Sequence, residues 1–388
     1  MHQTKIKTHI MTDGIIHNDF SKYEFLLVEP VAKTPYPPLG LMKISSMLRN
    51  TYKNCIIESQ VGNLIPKKIT EPKSIYITSL FTWDLKKVVD SIKYYRRLFP
   101  SSDIKVGGIA ATINPDFITK NTGIEPHKGI FEMAEDCSPD YTQNFGRKLN
   151  TSITFTSRGC VRKCEFCVVP KLEPEFFVKE NWVSDIKNDF PNLTIWDNNW
   201  LASPNLKNDC KILKNLGKKV DFNQGLDARL YTRDIAEEMS QINIDPIRFA
   251  FDNISHEKYI LKAIKLAKKY TNKEIRVYVL YNFEDTPENF YYRINLLNKE
   301  KVLSFPMEYR DEKEIDKKFP GPNWNKRLLR ALKLSLLFYY KKGMITEKFS
   351  SFESIYGKNT QEFIRKLYEI YDYDKKLNKK RKMEKTNA

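Results

Sequence analysis

The sequence predicts an α/β protein with two successive parallel sheets followed by a helical region. Three observations support this. The chain's 388 residues exceed what one ordinary core holds. From Lys22 to Phe305, short apolar runs alternate with helical stretches, the pattern of strands joined by crossover helices. At Pro320-Gly321-Pro322 that alternation stops, and only helical spacings follow.

The first alternation opens with Lys22–Val28, an apolar run that reads as a buried strand, followed by a helix at Leu39–Leu48. Strands are expected at Asn54–Glu58, Ser74–Leu80 and Asp103–Gly107, with Trp83–Phe99 helical before the last. The second alternation places strands at Ser152–Thr156, Leu193–Trp196, Lys219–Phe222, Ile247–Phe251, Ile275–Leu280 and Val302–Phe305. Six such βα units make a parallel sheet that can curl into a partial or full barrel, with its chemistry at the C-terminal strand ends. In the helical region Asn323 is expected to cap a helix running to Lys342, with Gly343 as its stop. A further helix is expected from Asn359 or Thr360 to about Tyr373. Leu328, Leu332, Leu336 and Tyr339 recur at helical spacing and read as core packing. The expected divisions are an N-terminal tail at 1–22, domains at 23–148 and 149–319, and a helical region with a basic tail at 320–388.

Hydrophobic residues make up 41% and aromatic residues 13%, which supplies packed interiors and argues against global disorder. No apolar run approaches the ~18–20 residues that span a bilayer. The stretch Met1–Asp19 lacks a signal-peptide core, so a cytoplasmic protein without membrane contact is expected. The formal net charge is +17, and from Lys375 onward seven Lys or Arg face one Glu. Such a tail is either solvated or in contact with nucleic acid phosphates.

Of six cysteines, Cys55, Cys137 and Cys210 are scattered and read as small buried hydrophobes, while the other three fall within eight residues. Clustered cysteines in a chain without an export signal favour metal over disulfide. The cluster occupies Thr156-Ser157-Arg158-Gly159-Cys160-Val161-Arg162-Lys163-Cys164-Glu165-Phe166-Cys167, directly after the first strand of the second alternation. Thiolates suit iron–sulfur clusters, and one loop with these spacings can wrap three corners of a cube. A structural zinc site needs four ligands, and no fourth is local. A zinc site completed by Cys210 or a histidine stays open at this point. Arg158, Arg162 and Lys163 match a cluster of net negative charge.

The pattern CxxxCxxC, with Phe166 directly before its third cysteine, resembles the signature of the radical S-adenosylmethionine (SAM) superfamily. The resemblance implies that Cys160, Cys164 and Cys167 hold three irons of a 4Fe–4S cluster, whose fourth iron is chelated by SAM. One-electron reduction then cleaves SAM to a 5′-deoxyadenosyl radical, which abstracts a substrate hydrogen. A reducing partner of flavodoxin or ferredoxin type is implied, and Phe166 is placed beside the adenine. Trp196-Asp197-Asn198-Asn199-Trp200 is similar to the family's acidic second-strand motif near the methionyl amino group, which brings in Asp197 and Asn199. Asp252 stands where an acid meets the ribose. The end of the fifth strand is similar to the family's glycine-rich turn followed by Glu-Thr-Pro: the chain keeps Asp285-Thr286-Pro287 but has Tyr281-Asn282-Phe283 in place of the glycines, and the resemblance implies Tyr281 as a cofactor contact. Gln224 and Arg229, after the third strand, either read the carboxylate of SAM or a polar substrate, or leave Arg229 paired with Asp227.

Leu27-Val28-Glu29-Pro30, Tyr36-Pro37-Pro38-Leu39-Gly40-Leu41 and Val106-Gly107-Gly108-Ile109-Ala110-Ala111-Thr112 resemble the cobalamin-binding Rossmann-like domain that precedes the radical core in one branch of the superfamily. The fold so implied is a Rossmann-like N-terminal domain, a partial (β/α)6 TIM-type barrel and a C-terminal helical extension. The cobalamin signature Asp-x-His-x-x-Gly is absent, the histidines being His2, His9, His17, His127 and His256. A degenerate front domain that binds substrate or only packs is therefore favoured over cobalamin binding. The leading functional expectation is hydrogen abstraction from a nucleic acid base, a peptide or a small metabolite. The alternative is a cobalamin-dependent radical SAM methyltransferase. A non-catalytic iron–sulfur protein or a nucleic-acid-binding protein with a structural metal forms the contrasting class.

Overall fold

The computed structural model describes residues 23–315, 319–340, 343–345 and 349–386. The expected tail at 1–22 and the helix end at Lys342 lie outside the described residues. The front domain contains β1 (Glu24–Glu29), α1 (Leu39–Thr51), β2 (Ile56–Val61), β3 (Ser74–Thr78), α2 (Leu85–Leu98) and β4 (Asp103–Gly107). Its sheet is parallel throughout, in the order β2-β1-β3-β4. Alternate residues of β1 explain the two helical layers: Phe25 and Leu27 pack with Met42 of α1, while Leu26 and Val28 pack with Val88 and Ile92 of α2. The chain leaves β1 towards β2 on one side and returns to β3 on the other. The strand order therefore reverses between β1 and β3, where open α/β sheets form a ligand crevice. Short helices α3 (Ile109–Ile113), α4 (Pro115–Thr122) and α5 (Glu132–Glu135) lead into the second domain.

The second domain begins with β5 (Thr151–Thr154) and a small hairpin of β6 (Ser157–Arg158) and β7 (Phe177–Val178) around α6 (Val169–Leu172). It continues through β8 (Asn192–Ile195), α7 (Leu206–Leu216), β9 (Lys219–Phe222), α8 (Arg233–Met239), β10 (Ile247–Ala250), α9 (Glu257–Tyr270), β11 (Ile275–Tyr281), α10 (Pro287–Lys299) and β12 (Leu303–Glu308). The strands form two parallel triplets, β5-β8-β9 and β10-β11-β12. Parallel bridges Val220–Ile244 and Leu226–Phe249 connect the triplets, so the six strands make one arc, a partial barrel.

Helices α11 (Lys326–Tyr339), α12 (Phe352–Tyr356) and α13 (Thr360–Thr386) follow, and Leu328, Leu332, Phe363 and Leu367 join the barrel's outer core. Two expectations change here. The cap of α11 is Asn325, whose Oδ1 accepts from the N–H groups of Arg327 and Leu328, whereas Asn323 donates to the Glu284 carbonyl. Tyr339 is exposed rather than in the stripe that packs, together with Leu337 and Phe338. Among the described residues no helix is long and apolar enough to cross a membrane.

Candidate functional site

The cysteine loop leaves β5 at the C-terminal mouth of the arc, and buried polar contacts fix its entry. Asp197, just past β8, accepts from the Thr156 N–H at 2.7 Å and from the Thr156 and Ser157 hydroxyls at 2.6 Å each. Burial pushes its carboxyl up to about 6 against these hydrogen bonds. With both oxygens so used, Asp197 positions the strand end that delivers the loop. Next, Gly159 takes a left-handed φ of +72°, and a Cβ there would strike the Glu175 carbonyl on the returning hairpin arm. Its N–H donates to Glu173 Oε2 at 2.7 Å, while Arg158 pairs with Glu173 Oε1 at 2.9 Å.

Cys160, Cys164 and Cys167 are half-buried and free of disulfides. The Arg162 N–H donates to Cys160 Sγ at 3.3 Å, and the Cys167 N–H to the Cys164 carbonyl at 3.0 Å. Burial first, then the neighbouring Cys164 and Cys160, push the Cys167 thiol up. Burial likewise raises Cys164, against the pull of the Arg229 guanidinium beside it. The three thiols thus share one electrostatic neighbourhood. Among the described residues, however, no three His, Cys, Asp or Glu side chains are gathered at metal-ligating spacing.

The remaining expected residues take different places. Phe166 meets the edge of Phe283 at 6.0 Å between ring centres, and Phe283 meets Tyr309 at 4.7 Å, so the ring standing in the glycine turn packs towards the cysteine loop. Asn199 is buried, with Nδ2 donating to Asp227 at 3.4 Å and Oδ1 without a partner among the described residues. Asp252 is pushed up to about 6 by burial, opposed by Arg293 and Arg229. Arg229 forks onto Asp227 at 2.7 and 3.0 Å, the ion-pair outcome. Gln224 is exposed to the cavity described below. Tyr281 is a correction. It shares a strand face with Val277 and Val279, and its ring packs against Phe290 and Trp324 in the outer core rather than at the mouth. Sequence reasoning also missed Arg293, fully buried, which donates to the Phe251 carbonyl at 2.7 Å, the Asp252 carbonyl at 3.2 Å and Asp285 at 2.7 Å. Its place eight residues after Asp285, two helical turns along, was the available signal.

A cavity of about 1300 Å³ separates the arc's mouth from the front sheet. Its front wall is the C-terminal edge of β1, β3 and β4, including Glu29, Leu80 and Gly108. Its barrel wall includes Phe155, Arg158, Trp196 and Gln224. That volume exceeds the ~300–1,000 Å³ of ordinary small-molecule pockets. No family profile matches the chain, and no curated protein does. Among solved structures, the chain matches the radical S-adenosylmethionine methyltransferase TsrM from Kitasatospora setae, determined with cobalamin and a [4Fe-4S] cluster bound. The fold is shared. The TM-score is 0.60 at 13% identity, over 74% of this chain and 75% of that one. The alignment extends well beyond either domain alone, so the likeness of fold takes in parts of both the Rossmann-like front domain and the partial barrel.

The two walls are welded by buried charge. Lys43 of α1 lies 3.6 Å from Asp185, and Lys179 lies 3.7 Å from Asp185 and 3.4 Å from Glu135 of α5. Glu135 in turn sits 3.7 Å from Arg158, next to the cysteine loop. Burial pulls the Lys43 ammonium down to about 8 despite Asp185. These partners lie far apart in sequence, and no local pattern announces them.

Proposed function

We propose that the protein is a radical SAM enzyme carrying a 4Fe–4S cluster on Cys160, Cys164 and Cys167, and that it works as a methyltransferase with cobalamin in the interdomain cavity. The observation that carries this reading is the free-cysteine loop at the mouth of a parallel barrel, flanked by Arg158, Val168 and Val169 in the lining of an unusually large cavity on the front sheet's switch point. This favours the methyltransferase alternative over hydrogen abstraction with a merely packing front domain, although Asp-x-His-x-x-Gly is missing.

The residues fit the two groups in different ways. For the cluster, the donor set is three soft thiols without a fourth local ligand, and Asn199 Oδ1 is a buried acceptor with no partner among the described residues, of a kind an amino group satisfies. For the corrin, the fit is one of room and shape. Gly108 turns with φ +104° where a Cβ would meet the Ser79 carbonyl at 2.5 Å, and the large apolar side chains of Leu80 and Ile109 are left exposed on the same edge. When bound, the cluster supplies the electron that cleaves SAM, and the corrin a carrier for a methyl group. The chain's own part is positional: Asp197 and Glu173 hold both ends of the loop entry, and Asn199 offers an acceptor.

The test uses the full chain, expressed with cobalamin supplied and reconstituted anaerobically. The expected result is about four irons per chain, a retained corrin spectrum, and SAM cleavage on reduction. Zinc in place of iron, with no cleavage, overturns the reading. Cleavage without retained corrin returns it to hydrogen abstraction alone.

A further inference from the structure

Asp227 lies at the centre of a polar hub that the sequence reduced to one ion pair. Its Oδ2 accepts from Arg162 Nε at 3.1 Å, from Arg229 Nη2 at 3.0 Å and from Asn199 Nδ2 at 3.4 Å, while Oδ1 accepts from Arg229 Nε and backbone N–H at 2.7 and 3.1 Å. Arg162 lies between Cys160 and Cys164 in the chain, so one carboxylate on the β9–β10 connection grips the inside of the cysteine loop. The fork onto Asp227 leaves Arg229 Nη1 facing His256 Nε2 at 3.5 Å, with the guanidinium beside the Cys164 thiol. Burial would raise the Asp227 carboxyl, but the Arg229 hydrogen bonds and the two guanidinium charges hold it below the ordinary carboxylate range.

We propose that Asp227 is a positioning residue for the cluster, pinning the cysteine loop through Arg162 and fixing the charge of Arg229 against Cys164, so that the pair sets the ease of cluster reduction. The inference rests on the cluster reading above. Net charge and hydrogen bonds around cluster sulfurs shift reduction potentials, so two members of opposite charge must shift it in opposite directions. A residue that only supports the fold has no reason to do so.

The experiment is a redox titration, read by electron paramagnetic resonance, of anaerobically reconstituted full-length protein with Asp227→Asn, Arg229→Gln and Arg229→Lys. At a fixed potential, Asp227→Asn is expected to raise the reduced-to-oxidised ratio and Arg229→Gln to lower it. Each change should be about tenfold, the order expected when a unit charge is lost a few ångströms away in a partly hydrated site. Arg229→Lys, which keeps the charge, should stay close to wild type. A folded Asp227→Asn protein that cannot load iron also supports the positioning role, and Arg229→Gln then still reports the charge effect. Shifts of the same sign, or none, in loaded variants overturn the proposal. If wild-type protein itself takes up no iron, the underlying cluster reading has failed instead.

Discussion

The two walls of the cavity solve different problems. The front wall is a sheet edge with a glycine turn and exposed apolar side chains, shaped by backbone and size. On the barrel side, Arg158 and Glu173 of the wall join a web of carboxylates and guanidiniums around the cysteine loop, in which Asp197, Asp227 and Glu173 each take several hydrogen bonds. A wall of the first kind admits a large ligand mainly by leaving room. The second kind holds reacting groups by preorganisation, where small displacements are costly. The contrast predicts that the walls can be disabled separately.

The largest effect belongs to the barrel wall. Cys164→Ala should reduce SAM cleavage to background, a greater loss than the roughly 10–100-fold that removing an outer partner of a metal site costs. Corrin retention by the same protein should be unchanged, measured by its absorbance after gel filtration. Simultaneous loss of both would show that the walls are not independent. Gly108→Ala is the converse. Its left-handed φ and the 2.5 Å approach to Ser79 should cost about 1–3 kcal/mol in a denaturant melt. Corrin retention should fall, while iron loading stays at wild-type level. Equal loss of iron would erase the distinction.

A pH-dependent effect of similar size tests how the barrel web holds charge. Asp209 of α7 accepts from Trp182 Nε1 at 3.2 Å, but among the described residues its Oδ2 is buried without a hydrogen-bond donor in range. Burial pushes its carboxyl from 3.8 up to about 6. The folded state therefore holds this proton more tightly than the unfolded state does, and stability from this group falls as pH rises through that window. Asp209→Asn should stabilise the protein by up to about 3 kcal/mol above pH ~6 and by nothing below pH ~4. Melts at both values measure it, and equal stabilisation at both would show that the charge is not the cause.

Much of the architecture was legible because it follows local periodicity. The strands Asp103–Gly107 and Lys219–Phe222 have the bounds their sequences suggest. The cysteine loop was equally plain, since its spacing is itself the signal. What remained hidden depends on residues distant in sequence. Asn323 and Asn325 are the same residue type two positions apart, and only packing against Glu284 decides which one caps α11. Asp197 was visible as an acid at a strand end, but not that Thr156 and Ser157, some forty residues earlier, would occupy it. Tyr281 was misplaced although the alternation of IRVYVLY puts it with Val277 and Val279, because nothing local says which face of that strand looks into the mouth.

The seam between the walls gives the smallest and most specific effect. Trp196 sits edge-on to Tyr36 of the front domain at 5.5 Å and to Phe155 of the barrel at 6.1 Å. Its Nε1–H is buried in the cavity wall, and among the described residues it has no hydrogen-bond acceptor. An unmet buried donor costs about 1–3 kcal/mol, and the flanking rings hinder the indole from turning to find a partner. Because the nitrogen itself is closed to the cavity, a ligand oxygen would satisfy it only by displacing one of the flanking rings. Trp196→Phe keeps an aromatic ring and removes the donor. The ligand-free protein should lose no stability and gain up to about 1 kcal/mol, while hydroxocobalamin should bind about tenfold more weakly for want of one hydrogen bond. Binding measured by equilibrium dialysis beside a denaturant melt separates the two effects. If affinity is unchanged while stability rises, the donor stays closed behind its rings, and the corrin lies wholly against the front wall.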